Sequence, residues 1–186
     1  MRVLLLFFLL GLCCQLPSPA LAQIDGRIFL SADSVKDGEQ MLMLSGEWKY
    51  HPGDDPAWAS PEFDDSAWET ASTLLKPGKM PAAGWPSIGW FRLHVEVDST
   101  LWNTPLALVC KQFGASEIYL DGKQSYRFGR ISTTGGGEAT RIDLNPKVFA
   151  LGSAAEHLIA VRHSNFSAKQ LHRSHVCSEY REEQGY

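Results

Sequence analysis

The stretch "SIGWFRLHVEVDS", Ser87 to Ser99, alternates apolar and polar side chains over most of its length. Phe91, Leu93, Val95 and Val97 fall on one side, and Arg92, His94, Glu96 and Asp98 on the other. Successive side chains of an extended chain point to opposite faces, so this period of two reads as a strand with one face in a core and one toward water. The run that feeds it, "GWPSIGWF" from Gly84 to Phe91, is rich in glycine and tryptophan. Its aromatics either pack a core or offer a stacking surface to a ligand.

Outward from this strand the pattern repeats in short pieces. "GEWKYHPGD" reads as a brief strand ended by Pro52-Gly53, "PLALVCKQF" as another opened by Pro105, and "RIDLNPKVFAL" and "EHLIAVRHSNF" as two more. "SEIYLDGKQSYRFG" reads as a hairpin, because Asp121-Gly122 supplies the positive backbone angles of a two-residue type I′ turn. Only "SPEFDDSAWE" has the look of a helical turn, with Asp64 or Asp65 as cap and Trp68 docking inward. "STTGGGEAT" is a loop by composition. Regular short strands with turns between them predict an all-β, antiparallel sandwich or barrel.

The amino end, "MRVLLLFFLLGLCCQLPSPALAQ", has an early arginine, an apolar run too short for a comfortable span, and a small-residue close. That is the grammar of a secretory leader over residues 1–22, cut after Ala22, where Ala20 and Ala22 fit the small-residue positions. An acylated Cys13 or Cys14 is disfavoured by the leucine before the pair and by its early position. Removing residues 1–22 from the 186-residue chain leaves 164, about one domain's worth. The expected location is therefore secreted or periplasmic. The formal charge of −4 drops to −5 with the loss of Arg2, and without a basic stripe no nucleic-acid partner is expected.

The chemistry-bearing residues point away from catalysis. Asp54-Asp55 and Asp64-Asp65 are sequence neighbours, whereas glycoside hydrolysis needs two carboxyls facing each other across the bond, about 5–10 Å apart. Turn and cap roles explain them better. The serines and histidines lie in no nucleophile-elbow sequence. "HRSHVC" offers His172, His175 and Cys177, but lacks a second ligand cluster and lies in a charged tail. Of the two cysteines outside the leader, Cys110 reads as a buried unpaired thiol, with a bond to Cys177 left open. No cofactor is expected, although a structural calcium held by loop oxygens is compatible with the sequence.

Six tryptophans remain, at 48, 58, 68, 85, 90 and 102. Trp48, Trp68 and Trp90 sit in apolar patterns and read as core, while Trp85, between Gly84 and Pro86, is the expected exposed one. A sugar site would combine aromatic faces with hydrogen-bonding groups, and the candidate contacts are Trp85, Arg92, Tyr119, Arg162 and Asn165.

Taken in order, the Gly46-Glu47-Trp48 strand, "FDDSAW", "GWFR", the "YLDG" hairpin and "IAVRHSN" resemble the galactose-binding-like jelly roll, over Leu44 to Phe166. Such domains stand at the amino end of bacterial membrane sensors, ahead of seven membrane helices and a kinase, phosphatase or cyclase output. The stretch is also similar to the sugar-binding domain of beta-galactosidase and beta-glucuronidase type hydrolases. The resemblance implies an antiparallel sandwich of nine or so strands with no chemistry of its own, in which Trp90 packs the core and Arg92 faces out of it. It also implies at least one further strand after "RHSN", so the sandwich is expected to be incomplete at its carboxyl end, with an edge beside "HLIAVRHSNF" either left bare or poorly covered by the tail. The resulting expectation is a leader (1–22), a lead-in (23–43), the sandwich (44–166) and a charged tail (167–186). Its function would be a non-catalytic sensor module for a small-molecule or carbohydrate ligand, meeting a membrane only through a downstream region. The alternatives are an accessory domain of a glycoside hydrolase and a structural or protein-docking sandwich.

Overall fold

A computed structural model describes residues 5–9, 24–32, 41–75 and 78–166. The cleavage point at Ala22, Cys13 and Cys14, the His172, His175 and Cys177 group, and the charged tail lie outside these residues. Among the described residues eleven strands form two sheets, an all-β sandwich as the alternation predicts. They are β1 (Leu5–Leu9), β2 (Arg27–Leu30), β3 (Met41–Met43), β4 (Glu47–Pro52), β5 (Glu69–Ser72), β6 (Ile88–Val97), β7 (Pro105–Lys111), β8 (Ala115–Leu120), β9 (Lys123–Phe128), β10 (Lys147–Ala150) and β11 (Glu156–Ser164). The large sheet runs β5-β4-β6-β11-β8-β9 with β2 added beside β6, and the small sheet runs β10-β7-β1-β3.

Strand β6 is the hub. Along one edge its first half pairs with β4, from Pro52↔Gly89 to Lys49↔Arg92, and its second half with β2, from Arg27↔His94 to Leu30↔Val97. Along the other edge it pairs with β11 throughout, from Ser164↔Ile88 to Glu156↔Glu96. Strand β11 is itself flanked by β8, so "HLIAVRHSNF", expected to have a bare or poorly covered edge, is paired on both sides. Most ladders are antiparallel, but β2 lies parallel to β6, and β1 parallel to both β7 and β3.

The apolar set of β6 enters the core as its period requires: Phe91, Leu93, Val95 and Val97 are buried among Trp48, Tyr50, Leu108, Cys110, Ile118 and Phe128. Its opposite face differs from the expectation of solvent. Residues 53–68 fold across it as a covering segment and bury Trp68, Trp90, Ala59, Leu158 and Ala160 beneath them, with Trp58, Phe63 and Tyr119 packed at the margin. The domain therefore has two apolar layers.

Within that covering segment the expected helical turn at 60–69 is not formed. A short 3-10 turn forms earlier, at Pro56–Ala59, where Pro56 suits the first turn and Asp55 accepts a hydrogen bond from the Ala57 amide. Further on, Asp64 accepts from the Ser66 amide and so acts in a local turn. The stretch read as one strand from Arg141 to Leu151 is extended only at Lys147–Ala150, leaving Ile142 and Leu144 exposed.

The β8–β9 hairpin has the expected two-residue turn, with φ of 49° at Asp121 and 79° at Gly122. Its tip is fastened to β11, since Asp121 accepts hydrogen bonds from the Leu158 amide (2.8 Å) and His157 Nδ1 (2.7 Å). A Cβ at Gly122 would also stand 3.2 Å from Pro61 of the covering segment. Gly122→Val should therefore cost about 1–3 kcal/mol, a β-branched residue being strained at positive φ. Urea unfolding of the variant beside the parent checks it, and an unchanged midpoint would contradict the turn's role.

Candidate functional site

Two arginines on the outer face of the large sheet organise everything near them. Arg92 on β6 is fully buried beneath the covering segment. Its Nε donates to Asp65 Oδ2 at 2.6 Å, its Nη1 to the carbonyls of Trp58 and Ser60, and its Nη2 to that of Phe63. The guanidinium also lies over the rings of Phe63 and Trp68. His94, two residues on along the same face, places Nε2 2.9 Å from the same Asp65 oxygen. Burial alone would raise the Asp65 pKa, but His94 and Arg92 together pull it down to about 2. Arg92, expected to face a ligand, is instead the anchor of the covering segment, because that segment carries its own aromatics down onto the strand.

Arg162 on β11 points to the same face and is only partly covered. It grips Asp54 with two hydrogen bonds, Nε to Oδ1 at 2.7 Å and Nη2 to Oδ2 at 2.6 Å, the planar fork meeting a carboxylate. Its Nη1 donates to Glu117 Oε2 at 3.0 Å. Glu117 also accepts from the Tyr119 hydroxyl at 3.0 Å and pairs with Arg127 at 2.8 Å, while Trp90 Nε1 lies 3.3 Å from Asp54. Asp54 is held below the ordinary carboxylate range, since hydrogen bonds and charge from Arg162 outweigh the opposing effect of burial. Desolvation, with help from Glu117, pushes the Tyr119 phenol up to about 12. The result is a continuous polar patch across β8, β9 and β11, bordered by Tyr119 and by the exposed Arg127.

The other expected contacts lie elsewhere. Trp85 is half-buried at the end of the sandwich, stacked 5.6 Å from His163 and packed near Tyr50 (6.1 Å) and Phe91 (6.2 Å). Asn165 is close by, its amide donating to the Ser87 carbonyl at 2.8 Å. Of the five candidates, then, the structure brings Tyr119 and Arg162 together through Glu117 and sets Trp85 and Asn165 at a separate end. The exposed tryptophan is Trp102, at 37%. Sequence reading missed Glu117 and Arg127, and gave Asp54 only a turn role. The available signal was the i, i+2 spacing of Glu117 and Tyr119, which puts both on one face of β8.

Beneath Trp85, His163 is wholly buried and neutral. Ser116 Oγ donates to Gln112 Oε1, so the 2.9 Å contact with His163 Nδ1 assigns the ring proton to Nδ1. That leaves Nε2 as an acceptor without a partner among the described residues. Desolvation drops the His163 pKa to about 4. A small apolar recess is lined by Leu108, Ile118, Tyr126 and Phe149 among others. No cluster of three potential metal ligands occurs among the described residues, and the Cys110 thiol is buried and pushed up to about 12 by desolvation.

No protein-family model matches the chain, and no curated protein does. Among solved structures the chain is similar to Bacteroides uniformis beta-glucuronidase, at 19% identity over 66% of this chain and 14% of that one, with a TM-score of 0.42. A calcium-binding mutant of Bacteroides uniformis beta-glucuronidase 2 gives 18% identity over 66% and 14%, TM-score 0.40. A beta-glucuronidase from glycoside hydrolase family 2 gives 16% over 65% and 13%, TM-score 0.43. The chain thus spans only a small part of each of these enzymes.

The two buried groups make separate predictions about acid. His163 has a depressed folded pKa, so its contribution is intact above about pH 6.5 and is lost as pH falls toward 4. Asp65, depressed from 3.8 to about 2, loses its contribution only below about pH 4. Thermal melts from pH 7 to 2 should show both declines, with His163→Gln flattening the upper limb and Asp65→Asn the lower. Asp65→Asn should also cost about 3–5 kcal/mol at pH 7, because it strands the buried Arg92 charge. An Asp65→Asn melt indistinguishable from the parent would mean that the covering segment does not depend on the Arg92–Asp65 pair.

Proposed function

We propose that this chain is a non-catalytic ligand-binding module that takes a carbohydrate on the Tyr119–Arg162 patch. The single observation that carries the reading is the row of charged and phenolic groups on one sheet face, in which half-buried Asp54, Arg162 and Tyr119 and the exposed Arg127 are joined through the buried Glu117. Sugar hydroxyls both donate and accept, and a row that alternates carboxylate, guanidinium and phenol meets them in either sense. Tyr119 adds a ring edge for the apolar face of a pyranose.

The same bonds argue against hydrolysis. A glycosidase needs one carboxylic acid with a raised pKa to protonate the leaving group. Here Asp54 is tied to Arg162 and held low, so it is a poor proton donor near neutrality. Glu117 has both of its oxygens engaged, by Arg127 on one side and by Arg162 and Tyr119 on the other.

The leader-like amino end supports action outside the cytoplasmic membrane, and the order of the sequence motifs supports service as the input portion of a signalling protein. An accessory domain of a glycoside hydrolase would use the same patch but would be encoded beside a catalytic barrel instead of membrane helices. A glycan array probed with the full chain tests the binding itself. Any glycan it retains should bind about five- to tenfold more weakly to Arg127→Ala or Tyr119→Phe, each of which deletes one hydrogen-bonding group. Melting temperatures should stay near the parent's. Failure to retain any glycan, or retention indifferent to both substitutions, would remove the patch as a sugar site and favour a protein-docking role.

A further inference from the structure

Strand β7 carries the sequence Leu106-Ala107-Leu108-Val109-Cys110, apolar without a break, and all five residues are buried. Leu106, Leu108 and Cys110 join the core between the sheets, while Ala107 and Val109 belong to the opposite face and are buried as well. A strand apolar on both faces is a central strand, with a hydrogen-bonded neighbour on each side. Between Leu106 and Cys110 it carries none of the lysines or prolines that protect natural sheet edges, Lys111 standing only at its end. One neighbour is β10, antiparallel from Lys147↔Leu108 to Ala150↔Pro105. The other is Leu5–Leu9, parallel over five positions from Leu5↔Ala107 to Leu9↔Lys111. This same segment is also the only described strand partner of β3, from Leu5↔Met41 to Phe7↔Met43.

Since β1 is parallel to both, β7 and β3 run in one direction and stand two strand spacings apart, about 9.5 Å. Between them lies a channel one strand wide, walled by main-chain amides and carbonyls. The segment that fills it belongs to the stretch whose composition reads as a secretory leader. Cutting after Ala22 would remove an interior strand of the small sheet, leaving β7 paired only with β10 and β3 without its described partner.

We infer that the channel between β7 and β3 is a strand-acceptor site for an extended apolar segment, and that its occupant in the uncut chain is the leader's own Leu5–Leu9. Recognition is by main-chain hydrogen bonds along both walls, the mode by which an extended peptide completes a sheet. Leader removal therefore opens the site, and the processed domain is receptive to a segment of the same chemistry. This inference is independent of the sugar patch, which lies on the outer face of the other sheet.

Cys110, buried and paired across from Phe8, reports on the channel. Cell-free synthesis without membranes supplies the full chain, with a specific protease site placed between Ala22 and Gln23. Iodoacetamide labelling of Cys110, read by peptide mass, and hydrogen exchange of the β7 amides are followed before and after cutting. In the uncut chain both should be slow. Cutting should accelerate Cys110 labelling about tenfold or more, and a synthetic Arg2–Gly11 peptide added in trans should restore protection. Phe7→Pro in the uncut chain should mimic the cut, because proline blocks pairing inside a sheet. Self-association of the cut chain that the peptide suppresses would mean a second copy competes for the same channel, and would support the site. Fast labelling in the uncut chain, unchanged protection after cutting and in Phe7→Pro, or association that the peptide leaves untouched would overturn it.

Discussion

Everything on the outer face of the large sheet depends on two arginine–aspartate bonds. Arg92 and Arg162 stand on neighbouring strands, and each is gripped by an aspartate of the one covering segment, Asp65 and Asp54 respectively. Burying a guanidinium is costly unless its hydrogen bonds are satisfied, and Arg92 meets that condition with one carboxylate and three carbonyls. Those carbonyls belong to residues 58, 60 and 63, so satisfying the charge dictates the path of the segment. The aromatics follow from that path. Trp58, Phe63 and Trp68 come down beside Trp90 because the backbone that carries them is already fastened to the strand.

The adjacent aspartate pairs show how one dipeptide can serve two ends. In each pair one carboxylate closes a local turn, Asp55 on the Ala57 amide and Asp64 on the Ser66 amide. The other reaches the sheet. This division also explains the glycine-rich approach to β6. Gly89 sits where a Cβ would stand 2.9 Å from the Tyr50 ring and 3.0 Å from that of Trp85, so its missing side chain lets both pack at the sandwich end. Tyr50 closes the arrangement by donating to the Gly84 carbonyl at 2.7 Å, and Glu69 accepts from the Ala82 and Ala83 amides to hold the loop before Trp85. The run "GWPSIGWF" is thus an end closure: Trp85 covers one layer of the core while Trp90 enters the other.

The fold was legible because the strand period is a local property. Phe91 to Val97, the Asp121-Gly122 turn and the apolar run of β7 each carry their structural instruction within a few residues. The covering segment was not legible in the same way. Arg92 alternates with apolar neighbours as any solvent-facing residue would, and only its partner Asp65, 27 residues away, reveals that it is buried. The patch was half legible for a related reason. Tyr119 and Arg162 are the residue types a sugar site uses, but Glu117, which joins them, looks in sequence like one more polar position of a half-exposed strand. Trp85 misled because a tryptophan flanked by glycine and proline has the composition of a loop, while its burial depends on Tyr50, Phe91 and His163 arriving from three other strands or turns.

These constraints narrow where the proposed ligand can meet the domain. On the large sheet, β4 and β6 are closed over by residues 53–68, and the inner face is filled by the core. What stays partly open on the outer face is the part beyond the segment's reach, where β11, β8 and β9 present Arg162, Tyr119 and Arg127 around the buried Glu117. Asp54 marks the border, belonging at once to the covering segment and to the open patch. A ligand settling on the patch would therefore compete for, or add to, the bonds that fix one end of the cover. The other end would be unaffected, because Arg92 and Asp65 lie beneath the aromatics and out of its reach. Asp54 is thus the one carboxylate through which the proposed ligand would touch the cover.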